Sequence, residues 1–114
     1  MPKKDQEVFR FMAKAWDINK AKEIIQKKPR KTVRIEIARL ADLRRLIHVN
    51  EEYATMIDLE TADPLIAAPV KTPEGTFYMI IDGWHRIERA AQLGVEELPA
   101  YLLTPREAKA TEVI

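Results

Sequence analysis

The chain has 114 residues, 46% of them hydrophobic and 32% charged, which suits a single globular domain with a modest core and argues against disorder. It contains no cysteine, which excludes disulfides, thiolate catalysis and cysteine-based zinc sites. A net charge of +1 hides an asymmetry: residues 1–34 carry eleven Lys or Arg against four acids, and residues 35–114 carry eight against fourteen.

Taken in chain order, Val8, Phe9, Phe11, Met12, Ala15 and Trp16 recur near helical spacing and predict a helix over Asp5–Trp16. Asp17 or Asn19 can cap a second helix over Asn19–Lys28, with Ala21, Ile24 and Ile25 on one face and Pro29 as its stop. Thr32–Leu40 alternates Val33, Ile35 and Ile37 with polar residues, the pattern of a half-buried strand. Ala41–Ile47 reads as a short turn or helix, and Asn50 can cap a further helix over Glu51–Leu59. Leu65–Val70 is a strand whose Pro69 belongs at an edge or bulge. The segment 71–75 is a hairpin-type loop, followed by the solidly apolar strand Thr76–Ile81, of the kind buried on both faces. A helix over Trp84–Leu93, with Ile87, Ala90, Ala91 and Leu93 as its stripe, stops at Gly94. Leu98–Thr104 is the last strand, and Pro105 opens a short polar tail of helical character. The fold class expected is α+β, a small mixed sheet with flanking helices.

Chemistry concentrates where the apolar strand runs into Asp82-Gly83-Trp84-His85-Arg86 and then into a helix. A helix start has unpaired N–H groups and a partial positive charge. Gly83 allows close approach to the backbone. Cations such as His85 and Arg86 are disfavoured there without an anion, and the Arg86 fork matches phosphate. Asp82 either holds a divalent metal such as Mg²⁺, takes a proton from a substrate hydroxyl, or caps the helix. Trp84 either packs or stacks on a base. His85 is either a structural hydrogen-bonder or a catalyst. Arg86 meets the phosphate, or else pairs with Glu88, Asp82 or the acidic Glu96-Glu97.

The stretch from Pro64-Leu65-Ile66 through Tyr78–Val95 to Leu98-Pro99-Ala100 resembles the ParB/sulfiredoxin superfamily, in its D-G-x-H-R branch of small stand-alone members. The resemblance covers residues 32–104. It divides the chain into a basic helical extension, residues 1–31, and a ParB/sulfiredoxin-like domain, residues 32–114. It implies a nucleotide-phosphate site at the helix start, with Gly83, Trp84, His85, Arg86 and Arg89 as binding residues and ATP, ADP or CTP with Mg²⁺ as ligand. Asp82, His85 and Arg86 would be the catalytic residues. The kinase-like branch adds an acidic base, for which Glu51 and Glu52 are the candidates. Sulfiredoxin chemistry needs a cysteine where Trp84 stands and is excluded. Partition clamps carry Glu-Arg-Arg-x-Arg after the glycine, of which only Arg86 is matched here.

Three functions follow as expectations. One is a nucleotide-binding NTPase or small-molecule kinase. The second is a nucleic-acid-binding or nuclease module, plasmid- or phage-associated, whose basic first third contacts DNA or RNA. The third is a non-catalytic protein-interaction module. No apolar run reaches bilayer length and no apolar segment follows the charged first residues, so a cytoplasmic protein without membrane contact is expected.

Overall fold

Two strands, not a helix, open the described chain. The structure is a computed structural model that describes residues 7–113; Asp5 and Gln6, where the expected first helix begins, lie outside them. Strand β1 (Val8–Phe11) pairs antiparallel with β2 (Lys14–Asp17). Phe9 sits opposite Trp16, their rings stacked with centroids 6.1 Å apart. Such aromatic cross-strand pairs stabilise a ladder, and the same residues that fall at helical spacing satisfy it. Met12, in the turn, takes a left-handed φ of 55°, which a helix interior does not contain.

Asp17 ends the hairpin and caps α1 (Ile18–Lys27), its carboxylate accepting the Lys20 N–H at 3.0 Å. Ile18, Ala21 and Ile25 are buried and share one core with Trp16, Ile80, Ile87 and Ala108. Residues 8–27 are therefore built into the body of the protein.

The main sheet contains β3 (Val33–Glu36), β4 (Leu65–Thr72), β5 (Gly75–Asp82) and β6 (Glu97–Leu102), in the order β3-β6-β4-β5. β4 and β6 are parallel and the other pairs antiparallel, so the fold is α+β with a mixed sheet. A 3₁₀ turn (Ile37–Leu40), α2 (Ala41–Leu46) and α3 (Glu51–Ala54) join β3 to β4. Asn50 caps α3, which closes after a single turn rather than reaching Leu59. β6 pairs with β4 over Leu65–Ala67, so Pro69 falls where that side of β4 has no neighbouring strand among the described residues. β5 is buried over Met79–Asp82 alone; Phe77 and Tyr78, expected inside, are 40% and 43% exposed on the outermost strand.

Helix α4 (Trp84–Leu93) keeps its expected bounds. Gly94 closes it at φ 72°, and the Val95 N–H reaches back to the Ala90 carbonyl at 2.8 Å. Leu93, expected in the apolar stripe, is exposed; Ile87 and Ala90 form the buried face.

The tail after Pro105 is α5 (Pro105–Thr111), and it is no solvated appendage. Thr104 and Glu107 form a capping box, while Ala108 and Thr111 are buried. Arg30 clamps this helix, its Nη2 donating to Glu107 Oε2 at 2.8 Å and its Nη1 to Oε1. The Arg30 hydrogen bond holds the Glu107 carboxyl at about 2, against an ordinary 4.5, assisted by the Thr104 N–H and opposed by burial. The folded value lies below the unfolded one, so the stabilisation is complete above pH 4.5 and is lost as pH falls toward 2. Glu107→Gln is expected to flatten the acid side of the stability–pH curve over this window, by an amount on the order of 3 kcal/mol at most. Urea unfolding of both proteins at several pH values measures it.

Candidate functional site

The buried end of β5 delivers Asp82 directly into Gly83, which starts α4 with φ 115° and no side-chain cap. Asp82 therefore does not cap the helix. It is nearly buried, and its Oδ2 accepts from Arg86 Nη2 at 2.9 Å, one turn later on α4. Of the three acidic partners open to Arg86 in the sequence, Asp82 is the one used. Glu88 takes Arg44 of α2 through both oxygens, at 3.2 and 3.3 Å, and Glu97 takes Arg34 at 3.4 Å.

The Arg86 fork does more than pair with Asp82. Its Nη1 donates to the carbonyl of Asp63 and, at 3.0 Å, to that of Pro64. Those carbonyls end the segment entering β4, so the guanidinium ties β4, β5 and α4 together at one point. Its donors are turned to the protein, and its part at this site is to position Asp82 and the 63–64 backbone. Gly83 lies against the same cluster. A Cβ there would sit 2.3 Å from Leu65 Cδ2 and 3.3 Å from Arg86 Cζ. The close approach that Gly83 permits is thus made by the buried Leu65 side chain.

Of the two roles open to Trp84 in the sequence, packing is the one the structure shows. Its side chain is buried and its Nε1 donates to the Ile80 carbonyl at 2.8 Å, so no ring face is offered to a base. His85 Nε2 accepts the Asn50 N–H at 3.3 Å, with its ring edge-on to Tyr53 at 5.0 Å between centroids. His85 thereby docks the start of α3 onto α4. That brings the first-turn residues Glu51 and Glu52, both exposed, to the His85 side of α4. Arg89 donates from Nε to the Ile57 carbonyl and from Nη1 to Gln92 Oε1, both at 3.3 Å. It fastens the turn after α3 and stands apart from the Arg86 cluster.

An open cleft of about 340 Å³ lies beside Asp82. Its walls include Lys22, Ile25 and Gln26 of α1, Asp63, Pro64 and Ile66 at the start of β4, and Tyr101 of β6. Oδ1 of Asp82 has no protein donor among the described residues, which leaves one oxygen of that carboxylate for a ligand. Lys22, Gln26, Asp63 and Tyr101 had not been singled out in the sequence. They come from three distant segments, and only the basic character of α1 hinted at Lys22. Among the described residues, no group of three or more His, Asp or Glu side chains could hold a metal ion, and no helix is long and apolar enough to cross a membrane.

Comparison with known proteins adds one relative. No family model and no solved structure matches the chain. An uncharacterized protein of Methanocaldococcus jannaschii, MJ0188, is 34% identical over 71 residues, which is 60% of this chain and 26% of that protein. The chain thus spans about a quarter of the relative's length, and what it resembles there is a portion of a larger protein.

Proposed function

We propose that the start of α4 and the cleft beside Asp82 bind a phosphate-containing ligand, most simply a nucleotide with Mg²⁺. The observation that carries this reading is a cleft walled by Lys22 and by Asp82, the residue that immediately precedes the uncapped, glycine-led start of the ten-residue helix α4. The first-turn N–H groups of α4 and the Lys22 ammonium would receive phosphate oxygens. Asp82, with Oδ2 fixed on Arg86 and Oδ1 unclaimed by protein donors, would hold Mg²⁺, which offsets the repulsion between carboxylate and phosphate. Bound Mg²⁺ would neutralise charge in a phosphoryl transfer, and Arg86 would act there as a positioning residue. The superfamily resemblance of the D-G-W-H-R segment supports the same reading.

Titration calorimetry with ATP, ADP, CTP and inorganic phosphate, with and without Mg²⁺, tests it. Nucleotide binding is expected to strengthen with Mg²⁺, to weaken about tenfold or more in Lys22→Ala, and to lose its Mg²⁺ dependence in Asp82→Asn. Absence of heat with every nucleotide at concentrations of about 5 mM, where even weak sites fill, rejects the reading. ADP formation from ATP, with and without small hydroxyl compounds as acceptors, then separates a phosphotransferase or NTPase from a binding module, and free phosphate marks the NTPase.

Nucleic acid is a second reading, supported by the exposed Lys20, Lys22, Lys27 and Lys28 on and just after α1. Deleting the basic segment would remove core residues, so reversal of these lysines to glutamate, with salt-dependent DNA and RNA binding as readout, is the appropriate test.

A further inference from the structure

The β4–β5 hairpin extends past the end of β6, and β5 is the outermost strand of the sheet. In an antiparallel pair, the backbone groups of alternate residues face the partner strand and those between them face outward. Two hydrogen bonds fix this phase. The Ile80 carbonyl accepts from Trp84 Nε1, and the carbonyl of Ala67, its opposite residue, accepts from the Leu103 N–H. Both groups therefore face away from the β4–β5 ladder. Counting back by two, Thr76 and Tyr78 turn their N–H and C=O groups outward on β5, and Pro69, opposite Tyr78, turns outward on β4. That phase places the missing proline N–H where the ladder loses nothing. Beyond Ile80 the outer edge is closed by Trp84; at Thr76 and Tyr78 it meets no partner among the described residues.

Natural edge strands are commonly guarded by a charge, a proline or a bulge. Residues 75–80 of β5, Gly-Thr-Phe-Tyr-Met-Ile, contain none of these; the bulge of β5 falls at Ile81, past the open part of the edge. We propose that this edge is a self-association surface, on which β5 pairs antiparallel with β5 of a second copy of the chain about a two-fold axis through Phe77. The outward groups at 76 and 78 are self-complementary: Thr76 faces Tyr78 of the second copy, and the reverse, which gives four backbone hydrogen bonds. Phe77 then opposes its own copy at a close, non-hydrogen-bonded position, where aromatic pairs gain most. A second copy suits the edge better than a polyanion or an acidic partner. No charge lies within 75–81 to oppose itself across the axis, and the hairpin offers an anion only Lys71. The two sheets would become continuous across the pair.

An interface of this size is weak, with a dissociation constant on the order of 0.1 mM. Sedimentation equilibrium of the full chain between about 0.01 and about 1 mM is expected to show monomer passing to dimer. Phe77→Lys, which sets two ammonium groups face to face, and Thr76→Pro, which deletes an outward N–H, should each weaken association tenfold or more. Leu46→Lys, at an exposed apolar residue elsewhere, should leave it unchanged. Hydrogen exchange of the wild-type protein provides a reading independent of any variant: the Thr76 and Tyr78 amides should gain protection as concentration rises. A monomer at every concentration, a dimer untouched by either β5 variant, or exchange at Thr76 and Tyr78 that ignores concentration overturns the proposal.

Discussion

Gly83→Ala is expected to destabilise the protein by about 3–5 kcal/mol, a large part of the 5–15 kcal/mol that ordinarily holds a domain folded. Two costs add. The φ of 115° at Gly83 lies outside the regions open to residues with a Cβ. The new methyl would also stand 2.3 Å from Leu65 Cδ2, and Leu65 is 1% exposed between β6 and β5, with no room to retreat. Gly94→Ala is the internal comparison. Its φ is 72° and nothing lies within 4 Å of its Cβ position, so only the backbone cost of about 1 kcal/mol remains. Chemical denaturation separates the two. In a double-mutant cycle, Leu65→Ala should recover at least about 1 kcal/mol of the Gly83→Ala loss, because it removes the atom struck; strict additivity would mean that the contact is not the cause.

Arg86→Ala carries the second largest expected effect, about 3–5 kcal/mol, because it leaves the nearly buried Asp82 carboxylate without its counter-charge and frees the carbonyls of Asp63 and Pro64. Arg86→Lys should recover only part of this, since one ammonium cannot reproduce a planar fork serving three acceptors. Asp82→Asn alone should cost about 1 kcal/mol, because the amide oxygen can still accept from Arg86. Placed in the Arg86→Ala background, the same change should raise stability by removing the orphaned charge. Thermal melts of the four variants and the wild type decide this. If Arg86→Ala melts like the wild type, the clamp is not what joins β4, β5 and α4.

Much of this region was legible in the sequence because its signals are local. Gly83 and Gly94 bracket a helix whose Ile87 and Ala90 recur at helical spacing, and the apolar run before it ends at Asp82. The hairpin at the N-terminal end was not legible, because its aromatic residues fit two periods and the pairing of Phe9 with Trp16 decides between them. The inward face of β5 was overextended for a related reason: an apolar run does not reveal where the covering elements stop, and here they stop before Tyr78. The site itself was half visible. The anion-favouring helix start is written in consecutive residues, but Arg86 spends its donors on backbone carbonyls more than twenty positions away, and a carbonyl has no signature in sequence. The cleft partners Lys22 and Tyr101 meet Asp82 only because α1 and β6 converge on the end of β5.

The parallel pairing of β4 with β6 has a consequence for how the chain reaches this state. Strands that run the same way cannot meet through a tight turn, so the chain must leave β4, run back along β5 and travel down α4 before β6 can lie alongside. Among the described residues, β6 is also the only strand that joins β3 to the remainder of the sheet. The sheet therefore cannot close until the turn at Gly83 and the stop at Gly94 have both been made. Contacts this distant in sequence carry a loop-closure cost that slows folding. The bend that gives α4 its open end is also the bend that decides when the molecule becomes whole.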